Sequence, residues 1–321
     1  MKDVSIIIVN WNTREFLDAC LGSLRASSAA LDLEILVVDN ASSDGSQEMV
    51  RVKYPEVVLI ENRENLGFAK ANNIGLRQAT GRYLALINSD VTAPAGCLPS
   101  IVEYMDRASE VGMLGPKMLT PSGAWGPSSM RRPTLAIWAV HAFGLAGVLP
   151  AYSLHMEKFD HERTQPVDVL NGWFWVVRGE AYRQVGGLDE RFFMYGEDID
   201  WCHRYADAGW EVVYFAGAEA THYGGGSSKR APVRFYVEMQ RANLQYWQLH
   251  HGRLSQVAYL ALVALHQSFR AAGYSLQYLL RPAGREESGF KVARSVACLR
   301  WLAGGVNPAV KSRAQGSAKH A

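Results

Sequence analysis

An α/β fold built on a mostly parallel, doubly wound sheet is predicted by three features of this sequence. Its β-branched runs are continuous rather than alternating, which marks strands buried on both faces. Each run gives way to a polar or glycine-bearing cluster and then to a helical segment, the alternation that builds parallel sheets. The polar clusters recur at the same point, just past the strand, so they collect along one edge of the sheet, where such folds bind ligands.

The elements follow in order. Val4–Val9 reads as a central strand, and Asn10-Trp11-Asn12-Thr13 is a polar turn whose threonine would cap a helix to about Leu24. Leu33–Val38 is the second strand, ending in the loop and cap residues Asp39-Asn40-Ala41-Ser42-Ser43-Asp44-Gly45. Val57–Ile60 is the third, followed by Glu61-Asn62-Arg63-Glu64-Asn65 and a helix from Gly67 to about Ala79 that Gly81 would close. Leu84–Ile87 is the fourth, and it stops at Asn88-Ser89-Asp90. Asp90 there would project its carboxylate at the mouth of the sheet, where a hard divalent cation takes oxygen ligands and holds phosphates. The plainer use of such an Asp is to cap the helix beginning near Pro94.

Val111–Leu119 reads as a further strand, and 120–134 as a long turn-rich loop of the length that functional loops have. Leu135–Tyr152 is apolar but broken by His141, Gly144, Gly147 and Pro150, fitting a helical lid or membrane-facing insert rather than a membrane span. Val167–Arg178 reads as a strand carrying Asn171-Gly172-Trp173-Phe174-Trp175, and Gly179–Val185 as a short helix. Then Glu197, Asp198 and Asp200 crowd behind Phe192-Phe193-Met194-Tyr195 at the entrance to a helix, Ile199–Ala208. One acid there complements the helix dipole; three behind an aromatic run point to a site. Trp210–Phe215 is a strand, followed by Thr221-His222-Tyr223 and a glycine-rich loop, where a histidine can ligate a metal.

Composition narrows the function. The 321 residues are 48% apolar and 20% charged, as in a globular protein. Four scattered cysteines form no Cys-x-x-Cys pair, which argues against a zinc ribbon or disulfide framework and fits a reducing compartment. No signal-peptide pattern precedes the first strand. Neither Gly-x-Gly-x-x-Gly nor a phosphate-loop motif is present, so any nucleotide would be held without a glycine cradle, with a metal neutralising its phosphates. From Arg253 onward there are ten basic and two acidic residues (+8), leaving twenty-three basic and twenty-nine acidic residues before it (−6). A basic tail on an acidic body suggests an anionic surface, a membrane or a nucleic acid, with solvated helix faces as the alternative.

Taken together, Val4–Asn12, Val37–Ser46, Asn65-Leu66-Gly67-Phe68-Ala69, Asn88-Ser89-Asp90, Phe192–Asp200 and Thr221–Gly225 resemble, in order and spacing, the inverting nucleotide-sugar glycosyltransferases of family 2, in their bacterial rhamnosyltransferase-like branch. The resemblance covers about Val4 to Ser228 and implies a GT-A fold. It implies that Asn10, Asp39, Arg63, Asn88, Ser89 and Asp90 face the nucleotide sugar, Asp39 at the base or ribose. Asp90 and His222 would hold a divalent metal, Mg²⁺ or Mn²⁺. Asp198 would be the general base, with Glu197 as runner-up, and Trp173, Tyr195 and Asp200 would meet the acceptor. Trp175 and Phe193 are further stacking candidates, with core roles for at least two of the four aromatics. Asn88 departs from the family pattern, standing where many relatives have an acid. The Gln-x-x-Arg-Trp motif of processive synthases is absent, since Gln240-Arg241-Ala242-Asn243 does not supply it, and this favours single addition. A helix dipole would lower the pKa of Asp198 and weaken it as a base.

Residues 1–230 are expected to form the catalytic domain, 231–310 a helical segment and 311–321 a disordered tail. Phe235–His250 is expected to be helical. Leu254–Leu265 is apolar but interrupted by His266, Gln267 and Arg270, which suggests interfacial helices or packing on the catalytic domain or a second subunit. The expected activity is transfer of L-rhamnose from dTDP-rhamnose to a lipid-linked or cell-surface glycan precursor, at the inner face of the cytoplasmic membrane, with no nucleic-acid partner. A UDP-sugar-dependent galactofuranosyl- or N-acetylglucosaminyltransferase, a nucleotidyltransferase and a non-catalytic sugar-binding protein are the alternatives.

Overall fold

A computed structural model describes residues 2–25, 30–154, 159–224 and 232–304; the tail expected at 311–321 and the Gly225–Ser228 end of the glycine-rich loop lie outside the described residues. The first half alternates β1 (Val4–Asn10), α1 (Arg14–Arg25), β2 (Leu33–Asp39), α2 (Ser46–Lys53), β3 (Val58–Glu61), α3 (Phe68–Leu76) and β4 (Tyr83–Ile87). These four strands lie in the order β3-β2-β1-β4, parallel throughout. Their register aligns Asn10 with Asp39 and Asp39 with Glu61, so the polar strand ends do share one edge.

The second half changes direction. After β5 (Val91–Thr92), α4 (Cys97–Arg107), β6 (Val111–Leu119), β7 (Ser129–Met130), α5 (Leu135–Ala142), β8 (Gln165–Pro166) and β9 (Val169–Leu170) comes β10 (Phe174–Arg178). This strand slots antiparallel between β4 and β6. The helices α6 (Gly179–Val185) and α7 (Glu197–Asp207) follow, then β11 (Glu211–His222), which runs parallel to β6 and antiparallel to β5.

Several expectations shift. The run 167–178 is two strands, because Asn171–Trp173 turns between β9 and β10. The last strand extends to His222 through a register shift between Phe215 and Glu219. Helix α3 ends at Leu76, so Gly81 does not close it. A Cβ at Gly81 would come within 2.5 Å of the Ser5 backbone nitrogen, so that glycine serves close contact with β1 instead. Thr13 turns its hydroxyl to Asn10 Oδ1 (2.7 Å) and Ser89 Oγ (2.8 Å), toward the strand ends. Leu135–Tyr152 is α5, capped by Thr134, followed by turns and a single 3₁₀ turn at Pro150–Tyr152.

Three helices complete the chain: α8 (Pro232–His250), α9 (Arg253–Leu280) and α10 (Arg285–Ala303). Their buried residues Leu244, Trp247, Tyr259, Val263 and Cys298 share a core with Trp175, Trp201 and Tyr205 on one face of the sheet. Part of the C-terminal segment is therefore sheet-covering structure. The rest of α9 is not, since Leu254, Phe269, Leu276, Leu279 and Leu280 are exposed. Among the described residues no helix is long and apolar enough to cross a membrane.

Candidate active site

The turn after β1 and the loop after β2 are tied into one polar lattice. Asp39 is fully buried, and its carboxylate accepts from Asn10 Nδ2 (2.8 Å), the Ser42 amide (2.8 Å) and Gln47 Nε2 (2.7 Å). Ser42 Oγ in turn accepts from Asn10 Nδ2 and the Asn12 amide. Asn10 and Asp39 therefore shape the edge from inside it. Arg63 is exposed on the loop after β3 and lines none of the described cavities.

Asn88, Ser89 and Asp90 do reach a cavity, of about 190 Å³, together with Trp11, Asn65, Phe68 and His222. Strand β11 sets His222 opposite Val91 in β5, which brings its Nε2 to 3.2 Å from Asp90 Oδ1. Trp173, only 3% exposed, stacks on the His222 imidazole at 5.7 Å and 19°. Trp173 thus orients the histidine and also lines the adjoining cavity, whereas Trp175 is wholly buried. A carboxylate and an imidazole fit a divalent cation that takes its remaining ligands from substrate phosphates and water. Among the described residues no group of three or more His, Cys, Asp or Glu could complete a protein-only metal cage.

A second cavity of about 320 Å³ shares Phe68, Asn88, Met194, Tyr195 and His222 with the first and adds Glu197 and Asp198. Two consecutive positive-φ residues, Tyr195 (69°) and Gly196 (78°), turn the chain sharply into α7, placing both acids in its first turn. Gly67 (φ 85°) braces this bend: Phe68 donates its amide to the Phe193 carbonyl at 2.7 Å, and a Cβ on Gly67 would lie 2.4 Å from that oxygen.

Burial pushes Asp198 up to about 6, although the Ile199 amide at 2.9 Å and other backbone amides oppose it. Desolvation therefore outweighs the helix start, opposite to the lowering expected from the dipole. Glu197 is 5% exposed, and its Oε2 has no hydrogen-bond partner. Burial first, and then the charge of Asp198, hold its pKa well above the usual carboxylate range. Burial thus holds both carboxyls above their usual range, and a carboxylate raised in this way is a stronger proton acceptor once ionised.

Asp200 lies elsewhere. Buried to 2% exposure, it accepts from Arg204 Nε (2.9 Å) and pairs with His250 Nε2 (2.8 Å), pinning the end of α8 to α7. It lines none of the described cavities, so the structure gives it a tethering role rather than contact with an acceptor. Trp11 and Asn65, to which the sequence motifs assign no role, also line the first cavity. Their positions at the ends of β1 and β3 were the available signal.

Asp90 and His222 thus meet at the sheet edge, and Asp198 lines the adjoining cavity. The comparisons show the family. The model of "Glycosyl transferase family 2" matches residues 5–185. An N-acetylglucosaminyl-diphospho-decaprenol L-rhamnosyltransferase of Mycobacterium tuberculosis is 30% identical over 249 residues, covering 73% of this chain and 80% of that one. Similar folds occur in the mannosyltransferase PcManGT from Pyrobaculum calidifontis in complex with GDP-Man and Mn²⁺ (TM-score 0.56, 18% identity, 93% and 87% of the two chains). S. aureus TarS 1-349 in complex with UDP-GlcNAc is another (TM-score 0.51, 16% identity, 94% and 90%). The chain belongs to glycosyltransferase family 2, with the GT-A architecture and inverting type that go with it.

Proposed function

We propose that the protein transfers L-rhamnose from dTDP-rhamnose to a hydroxyl of a lipid-linked glycan precursor. The observation that carries this reading is the 30% identity, over most of both chains, to the mycobacterial rhamnosyltransferase. Asp90 and His222 would hold Mg²⁺ or Mn²⁺, with Asn88 and Ser89 lining the same wall. The cation would offset the negative charge that grows on the departing diphosphate. Asn10 and Asp39 hold the nucleotide-side loops in shape, and Arg63 approaches the nucleotide from the rim. Asp198 accepts the proton of the attacking hydroxyl, Glu197 keeps its own, and Tyr195 lies between donor and acceptor.

Residues 1–230 serve as the catalytic unit. Helices α8–α10 place it on the inner face of the cytoplasmic membrane, through the exposed apolar residues of α9 flanked by Arg253, Arg281 and Arg285. Flotation with anionic vesicles tests that contact; light scattering showing a concentration-dependent dimer and no flotation would assign the same face to a second copy. The donor assignment is tested by thermal shift against a panel of nucleotide sugars with and without Mn²⁺, since a bound donor stabilises by mass action. Stabilisation by dTDP-rhamnose above the UDP-sugars is expected. A preference for UDP-galactofuranose or UDP-N-acetylglucosamine would replace the sugar while keeping the transferase.

A further inference from the structure

On the far side of Asp198 lies a cavity of about 400 Å³, walled by α5, α8, α9, α10 and the start of α7. It shares Tyr195 and Asp198 with the reaction centre. Its wall carries two guanidinium groups, Arg270 from α9 and Arg294 from α10, against a single carboxylate, Asp198. Among the described residues neither arginine has a carboxylate within ion-pair distance, and the Nε of each is buried without a hydrogen-bond partner. Aromatic faces hold them instead: Arg294 lies 4.3 Å from the Tyr236 ring centroid and Arg270 5.1 Å from that of Tyr274. Gln267 and Gln240, 0% and 3% exposed, line the same wall, each with a buried and unpartnered Oε1. His266 is driven down to about 4 by burial and by the charge of Arg270, so the imidazole is neutral and adds no cation of its own.

Both arginines are half-buried; polar atoms buried and left unpaired are costly, and a wall holding several is one whose partner arrives with the ligand. The cavity also has a direction. His266 and Arg270 continue into an open groove with Phe143, Phe269 and Gly273. That groove leads onto the exposed apolar residues of α9, with Phe269 62% exposed. A proton acceptor at one end, paired cations in the middle and an apolar exit match a hydroxylated head, an anionic link and an apolar tail.

We propose that Arg270 and Arg294 bind the phosphate or diphosphate link of an amphiphilic acceptor, whose apolar carrier leaves along the groove between α5 and α9. This deepens the transferase reading and rests on it for the identity of the head group. Guanidinium forks suit phosphate oxygens, and the donor's own diphosphate is assigned to the Asp90 side.

The test is calorimetric titration with farnesyl diphosphate, an isoprenoid diphosphate that stays in solution, in EDTA so that metal-dependent binding at Asp90 is suppressed. Binding should weaken about tenfold or more in R270Q and in R294Q, as expected for loss of a hydrogen bond to a charged group, and should be unchanged in D90N. R270K, which keeps the charge, should recover part of the loss and separates a binding defect from misfolding. Farnesol binding as tightly as the diphosphate, or R270Q and R294Q binding it with wild-type affinity, would overturn the assignment. Nucleotide-sugar binding with Mn²⁺, followed by thermal shift on the same proteins, is read separately. Its absence from the wild type would sink the transferase reading, while its retention in both arginine variants is expected here.

Discussion

The two halves of the molecule treat buried polarity differently. In the nucleotide half the lattice of Asn10, Asp39, Ser42, Gln47 and Thr13 satisfies itself. Among the described residues, the buried side-chain polar atoms without a hydrogen-bond partner all fall from Ser128 onward, including those of Glu197, Gln240, Gln267, Arg270 and Arg294. A self-satisfied edge is already shaped for its ligand and loses little order on binding. An edge with open valences is finished by its ligand and discriminates by what that ligand supplies. On the proposed reading, the donor side comes pre-shaped and the acceptor side is where specificity would be set.

The sharpest way to break this division is Asp198→Asn, expected to lower transfer by roughly 10²–10⁴-fold while donor binding by thermal shift persists. Unchanged turnover would move the base elsewhere, with Glu197 next in line. Asp90→Asn should do the reverse, weakening Mn²⁺-dependent donor binding by roughly 10–100-fold and leaving metal-free acceptor binding intact. Asp200→Ala should remove the carboxylate from His250 and from Arg204, leaving Arg204 only the Val185 and Gly187 carbonyls, at a cost of about 3 kcal/mol. It should appear in chemical denaturation, with acceptor KM little changed; a large KM effect at normal stability would restore Asp200 to the acceptor site.

Gly67→Ala attacks the seam, because its Cβ would meet the Phe193 carbonyl from a positive-φ position. A loss of roughly 1–3 kcal/mol is expected, read as a drop in Tm. The gentlest probe is pH. The raised pKa of Asp198 means that its proton-accepting form exists only above about 6. Acceptor kcat/KM should therefore fall as pH drops through that value, by about tenfold per further unit. Donor binding that fell in parallel would place the titrating group on the other side of the seam.

The same division explains what was legible in the chain. Strands β1 to β4 were readable because burial on both faces demands unbroken β-branched runs, and their polar ends mark the edge without tertiary information. The direction of β10 and the length of β11 were not, since both depend on pairing with strands far away in sequence. Asp90, His222 and Asp198 stood out by motif, and the cavities do bring them close together. Asp200 was grouped with Asp198 in sequence as an acceptor contact, but its place two residues further along α7 turns it toward Arg204 and His250. Arg270 was visible only as a charge interrupting an apolar helix. Its pairing with Arg294 required α9 and α10 to come together.

The reversed run of β10 has a consequence for reach. Because it enters the sheet beside β4 against the grain, the Trp173 carbonyl at its head receives the Asn88 amide (3.0 Å) from the tail of its neighbour. The Asn88 end of β4 is thereby fixed to Trp173 at adjacent-strand spacing, about 4.8 Å, and not by loop length. The wall shared by Asn88, Trp173 and His222 is thus set by the sheet, while the acids of α7 arrive on a separate turn.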